Sequence, residues 1–212
     1  MRLLLFSDLH CSISAAARLV ELAARADVLI GAGDFANVRR GIEDTISILA
    51  EGVTTKPVVL VPGNNETLDE LVAATADWPN ATVLHGNGAT LLDTPFFGIG
   101  GGIPVTPFGD WSFDFSNEQA DELLADCPAG AVLVSHSPPK GTLDVSSSGK
   151  SIGSYAVQRA IDRTRPRLVV CGHIHHSGGQ HARVPRSHVP VVNAGPAGIL
   201  WDLAVDAPIA MA

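Results

Sequence analysis

The chain has 212 residues, 46% hydrophobic and 17% charged, enough apolar material for a sizeable core, which excludes a disordered chain. The formal net charge is −8 with no basic stripe, so no extended nucleic-acid surface is expected. Cys11, Cys127 and Cys171 are odd in number and widely spaced, against a disulfide framework; the apolar run at 3–6 is too short for a signal peptide and no segment reaches membrane-span length, so the expectation is one cytoplasmic domain over residues 1–212.

Strands are predicted at 3–6, 28–30, 58–61, 132–134 and 168–171. None alternates apolar with polar, which suits strands buried on both faces. Helical patterns lie between them. Residues 14–26 are alanine-rich, with Leu19, Val20 and Ala23 on one side; in 37–50, Val38, Ile42, Ile46 and Leu49 recur at helical spacing. Residues 67–78 open on the capping-box pair Thr67 and Glu70. Between 81 and 103 the pattern shortens to strands at 82–84, 90–92 and 96–99, joined by turns and read as hairpins. Helices follow at 116–127 and at 154–165, the latter stopped by Pro166, and two more strands at 189–193 and 199–205. The whole is an α/β chain whose sheets need helices outside them. The loops 100–112 and 138–153 are rich in Gly, Pro and Ser and long enough to border a site.

Each of the five apolar runs stops at a metal-binding type of residue: Asp8 and His10, Asp34, Asn64, His136, and His173 with His175. These stops fall at carboxyl ends of strands, where ligand sites of open α/β sheets lie. If the chain stays extended, residues i and i+2 point to the same side, so Asp8 converges with His10 and His173 with His175. Glycines precede Asp34, Asn64 and His173 and let the backbone turn tightly there. Seven candidate ligands are enough for two ions. Carboxylate, amide oxygen and imidazole together suit Mn, Fe, Zn, Co or Ni better than Ca or Mg. Taken singly, Asp34 reads as a cap, His136 as a core histidine and Asn64 as a turn residue; their joint order is what favours a metal site.

The order Asp8-Leu9-His10, Gly33-Asp34, Gly63-Asn64-Asn65-Glu66, His136 and Gly172-His173-Ile174-His175 resembles the calcineurin-like metallophosphoesterases, in their small prokaryotic branch, over about residues 1–198. The resemblance implies a four-layer α/β/β/α sandwich of two mixed β-sheets flanked by helices. It implies that Asp8, His10 and His175 hold one divalent ion and Asn64, His136 and His173 the other, with Asp34 bridging and manganese the favoured metal. It further implies a hydroxide between the ions that attacks phosphorus. Two divalent ions bring +4 and Asp8 and Asp34 return −2, so the pocket would be positive in an acidic protein.

One letter departs from the pattern. Asn65 stands where the family usually carries a His that assists the leaving group, and an amide is no acid near neutrality. General acid catalysis is typically worth about 10²–10⁴ in rate, and its loss hurts poor leaving groups most. The expected substrate is therefore a small phosphodiester, with nucleotide-derived esters among the candidates. Asn65 and His10 are taken as catalytic and Asn64, Asn65 and His136 as substrate contacts. His176 follows a ligand but points away in an extended chain. His85, His181 and His188 read as loop histidines, Cys11 as a small hydrophobe, and Glu66 as a partner for Asn65 or a backbone amide. Asp110, Trp111 and Phe113 offer a substrate wall against plain loop packing, and Arg39 and Arg40 a phosphate contact against a solvated helix face. The rivals are a nuclease or protein phosphatase, a phosphomonoesterase, and a metal-stabilised binding or scaffold protein without turnover. Oligomeric state is not readable.

Overall fold

A computed structural model describes residues 1–210. The first sheet has six strands in the order β12(Ala207–Pro208), β11(Ile199–Asp202), β1(Arg2–Phe6), β2(Val28–Gly31), β3(Val58–Leu60), β4(Ala81–Val83). The second, also six-stranded, runs β5(Asn87–Leu91), β6(Thr94–Ile99), β7(Val132–Ser135), β8(Leu168–Cys171), β10(Pro190–Asn193), β9(His181–Arg183). Both are mixed: β1 to β4 are parallel, as are β6, β7, β8 and β10, with antiparallel strands at the margins.

The missing alternation has a direct cause. Leu3 and Leu5 of β1 point between the sheets, against Val132, Val134, Leu168 and Trp201. Leu4 and Phe6 point outward, under α1(Ile13–Ala23) and α2(Ile42–Gly52). Leu3 to Phe6 are all buried, so all four are apolar. On the far side, α4(Asn117–Leu123) and α5(Tyr155–Thr164) cover Leu133, Val169 and Val191. The layers are therefore α/β/β/α. Full burial of such a side chain contributes roughly 1.5–3 kcal/mol, and α3(Leu68–Ala74) adds Leu71 to the outer core.

Helix starts follow the capping chemistry. Thr67 and Glu70 close a capping box on α3, Ser116 and Gln119 another on α4, and Ser12 and Ser154 cap α1 and α5. The helix predicted from residue 37 begins only at Ile42, because the amides of Val38 and Arg39 donate to the side-chain and backbone oxygens of Asn65. The segment turns left-handed at Val38 (φ 48°), Arg39 (φ 62°) and Gly41 (φ 71°). A second correction concerns β4. It is no hairpin partner of β5 but runs parallel to β3 in the first sheet, and the turn after it carries the chain to the second sheet. The β5–β6 hairpin is formed. The edge strands β9 and β12 carry no sequence pattern, each being three residues or fewer. Among the described residues no helix is long and apolar enough to cross a membrane.

Candidate metal centre

The carboxyl ends of β1, β2 and β3 in one sheet and of β7 and β8 in the other deliver Asp8, Asp34, Asn64, His136 and His173 to one place. Asp8, His10, Asp34 and His175 offer ligating atoms that all lie within 4.8 Å of one another. His10 Nε2 is 3.0 Å from His175 Nε2 and 3.6 Å from Asp34 Oδ2, and His175 Nε2 is 3.6 Å from Asp8 Oδ1. A second group meets the other Asp34 oxygen: His136 Nε2 lies 3.4 Å from Asp34 Oδ1 and 3.2 Å from Asn64 Oδ1, which is 3.0 Å from His173 Nδ1. Metal–ligand bonds of about 2.0–2.2 Å put neighbouring ligand atoms roughly 3.0–3.5 Å apart. The donor types and their spacing thus fit ions on either side of Asp34.

The chain is not extended from Asp8 to His10 or from His173 to His175. Asp8 (φ 56°), His10 (φ 44°) and His173 (φ 65°) are left-handed, and His175–Ser177 is a short 3-10 helix. Turns, not alternation, bring these side chains together. Such conformations cost on the order of 1 kcal/mol each and persist where neighbours enforce them. Here the Asp8 amide donates to the Gly33 carbonyl (2.9 Å), the His10 amide to that of Asp34 (3.0 Å), and the His173 amide to Asp8 Oδ1 (2.9 Å). Asn193 donates to the carbonyls of Gly172 (3.1 Å) and Ile174 (3.0 Å) and holds the His173 loop. The glycines are needed for close approach. A Cβ on Gly172 would sit 2.6 Å from both Asp8 Oδ2 and Ser7 Oγ, and one on Gly33 would sit 2.7 Å from His136 Nδ1.

Hydrogen bonds set the ligand orientations. His136 Nδ1 faces the Ala32 carbonyl at 2.7 Å, so that nitrogen carries the proton and Nε2 presents its lone pair to the site. Asn64 donates through Nδ2 to Ser112 Oγ at 3.1 Å, which turns its Oδ1 inward. Glu66 accepts from the amides of Gly63 (2.6 Å), Asp34 (2.8 Å) and Ala36 (3.0 Å). It therefore serves the backbone and makes no hydrogen bond to Asn65. Asn65 donates its NH2 to Asp34 Oδ2 at 2.8 Å and accepts from the Val38 amide at 2.9 Å.

Burial and opposing charges split the titrations. Burial raises the Asp8 carboxyl, but the neighbouring His175 and His136 outweigh it and hold the group at about 2. Burial and the neighbouring Asp34 push Glu66 up to about 7. Burial, with His136 beside it, drives His173 down to about 4, leaving a neutral imidazole. Burial lowers His136, yet Asp34 and Asp8 raise it above its ordinary value, and the nearby Asp8 carboxylate raises His175. Ion binding at such a site displaces protons.

Above this floor opens a cavity of about 440 Å³. His10, Asp34, Asn64, Asn65, His173 and His175 form its base; Val38, Phe108, Trp111 and Ile152 form its rim. His176, expected to point away, also borders it, because the 3-10 turn replaces an extended chain. Of the proposed wall only Trp111 is there. Phe113 packs on Phe115 (4.8 Å) and His85 (5.5 Å), and Asp110 does not line the cavity. Arg39 pairs with Glu70 at 2.7 Å and Arg40 lies off the cavity, so neither reaches the floor. Phe108 and Val38 escaped sequence reasoning. Phe108 shares the Gly- and Pro-rich loop with Trp111, three residues on, and Val38 mimics a helix-core position.

Residues 1–177 match the family model of calcineurin-like phosphoesterases. Among solved structures, a protein of Thermus thermophilus superposes with a TM-score of 0.78 at 19% identity, over 98% of this chain and 96% of that one. A dimetal phosphatase from Danio rerio gives 0.63 at 12%, over 94% and 91%. An archaeal phosphodiesterase gives 0.58 at 15%, over 99% and 98%. At these identities the likeness is one of fold. No curated protein sequence matches the chain.

Proposed function

Because this chain belongs to the calcineurin-like phosphoesterase family, we propose that it is a metal-dependent hydrolase of small phosphodiesters, one domain over residues 1–212. The family works with a dinuclear divalent centre. We assign Asp8, His10 and His175 to one ion, Asn64, His136 and His173 to the other, and Asp34 to both. Manganese is the favoured metal, with Fe, Zn, Co and Ni as competitors for the same donors. When bound, the ions would polarise the phosphoryl group and lower the pKa of the attacking water.

The residues around them orient and restrain. Asp34, held by Asn65 and by the Glu66-bound amide, keeps its two oxygens aimed at the two ligand groups. Ser7 and Ser112 steady Asp8 and Asn64. Asn64 and Asn65, which line the cavity, are the proposed contacts to the substrate end of the site, with His10 beside the reacting group; His136, fully buried and off the cavity lining, is left as an ion ligand alone.

The observation that carries the diester preference is Asn65. Its amide has no proton to release near neutrality, and its oxygen is committed to the Val38 amide. A diester or an aryl ester leaves without an acid more readily than an alkyl monoester does. A monoesterase reading would instead draw on His176, which borders the cavity. The test is Asn65→His in manganese-loaded protein, with bis-p-nitrophenyl phosphate, alkyl monoesters and aryl monoesters as substrates. Alkyl monoester turnover is expected to rise by about 10²-fold, as a restored general acid would give, with diester turnover changing far less. Equal, small effects on all classes would sink the reading. Absence of turnover with every one of Mn, Fe, Zn, Co and Ni would favour a binding or scaffold protein.

A further inference from the structure

We infer that the cavity selects phosphate esters bearing a single phosphate and an aromatic ring, the ring lying on the Phe108–Trp111 face. This rests on the phosphoesterase reading above and names its substrate class.

Three observations carry it. First, Phe108 and Trp111 stack on each other, 5.5 Å between centroids at 16°, and not on the core. Phe108 stays 51% exposed, and across the cavity Val38 and Ile152 stay 45% and 40% exposed. Large apolar side chains left in water around one opening mark a surface that gains when a ligand covers it. Phe113, two residues beyond Trp111, shows the alternative: it is packed against Phe115 and His85.

Second, this rim is held to the floor. Asp114 accepts from Thr106 Oγ1 (2.6 Å) and Ser112 Oγ (2.8 Å), and Ser112 in turn accepts from Asn64. Phe108 and Trp111 sit in the loop that these bonds close. The platform is thus positioned relative to Asn64 before any ligand arrives, which lowers the ordering cost of binding.

Third, among the described residues lining the cavity there is no Lys or Arg. Extra phosphates are usually met by such cations. A volume of about 440 Å³ falls within the roughly 300–1,000 Å³ of small-molecule sites. The opening therefore offers one place for phosphate, at the floor, and one for a ring, at the rim. Nucleobases and simple aryl groups share that chemistry.

The probes are ribose 5-phosphate, adenosine 5′-monophosphate, phenyl phosphate and adenosine 3′,5′-bisphosphate, bound to the manganese-loaded protein. Trp78 and Trp201 are 3% and 2% exposed, so quenching of tryptophan emission by a bound ring reports on Trp111. Adenosine monophosphate should bind about tenfold tighter than ribose 5-phosphate, the scale of one base–aromatic stack, and should quench. The bisphosphate should bind no tighter than the monophosphate. Phenyl phosphate matching adenosine monophosphate would identify simple aryl esters as the ligand; weaker binding would identify nucleobases. Trp111→Ala and Phe108→Ala should bring the ratio of adenosine monophosphate to ribose 5-phosphate affinity towards one. Trp111→Phe should keep the ratio and lose the quench. Equal affinity for the first two probes, or tightest binding of the bisphosphate, would overturn the inference. These affinities are read without turnover. A ring-preferring protein that cleaves only monoesters would end the diester reading alone, and a diesterase indifferent to the ring would end this one alone.

Discussion

The floor and the rim of the cavity are built on opposite plans. The floor is polar and buried, assembled from the ends of strands in two sheets: Asp34 and Asn64 are each 2% exposed and His136 is 0%. The rim is apolar and exposed, carried by loops, with Phe108 half in solvent. The lesson is one of mechanics. Chemistry that needs ligand atoms near 3 Å is placed just beyond the ends of strands that packing holds rigid. Selection among substrates is left to segments that can vary without disturbing those strands.

The largest test of this contrast is Asp34→Ala. It removes the carboxylate shared by both ligand groups. Turnover should fall by about a thousandfold or more, since a Lewis-acid pair supplies several kcal/mol, and bound metal per protein, read by elemental analysis, should drop. Near-native metal content and turnover would show that the floor does not depend on its central residue.

Next in size is Gly172→Ala. The added Cβ would press on Ser7 and Asp8 at 2.6 Å, among residues fixed by hydrogen bonds. Overpacking of this kind costs typically 1–3 kcal/mol, visible in a denaturant midpoint, and metal affinity should fall with it. A substitution that leaves both unchanged would mean that the floor yields as easily as the rim.

The smallest effect on metal binding is expected in the rim. Asp144 anchors the loop carrying Ser146, Ser147 and Ile152 by accepting from Ser151 and from the Gly153 amide. Burial raises its pKa, but the bonds from Ser151, Gly141 and Gly153, with Lys140 nearby, more than offset that and hold it below the ordinary value of 3.8. Because the folded value is the lower one, the stabilisation is present above pH 3.8 and is lost as pH falls through the folded pKa. Asp144→Asn should lose about 1.5–3 kcal/mol at neutral pH, the range for bonds to a charged group, and show a flatter acid limb in thermal melts. Substrate affinity should weaken before metal affinity does. Loss of metal instead would place this loop with the floor.

Legibility in the sequence follows the same division. Asp8, His10, Asp34, Asn64, His136, His173 and His175 could be picked out because each follows a strand whose uninterrupted burial writes itself as an uninterrupted apolar run. Capping residues such as Thr67 and Ser116 were legible because capping is local chemistry within four residues. The start of α2 was not, since the Val38 amide is drawn away by Asn65, 27 residues on. Nor was the destination of β4, for a short strand does not encode which sheet will take it. Phe113 and Phe108 look alike as letters; only packing against His85 and Phe115 separates a partly buried loop residue from a rim residue.

The sequence by itself determined the α/β class, the strands that end at the site, the seven ligand-type residues and the absence of an acidic proton at Asn65. These depend on residue type and on neighbours a few positions away. The tertiary structure alone decided that left-handed turns at Asp8, His10 and His173 create the convergence. It also decided that Glu66 serves backbone amides, that His176 turns into the cavity, and that Phe108 joins Trp111 over the floor. The turns at Asp8, His10 and His173 and the bonds of Glu66 to the Asp34 and Ala36 amides rest on contacts between distant segments, and such contacts are settled by packing and hydrogen-bond satisfaction across the whole fold.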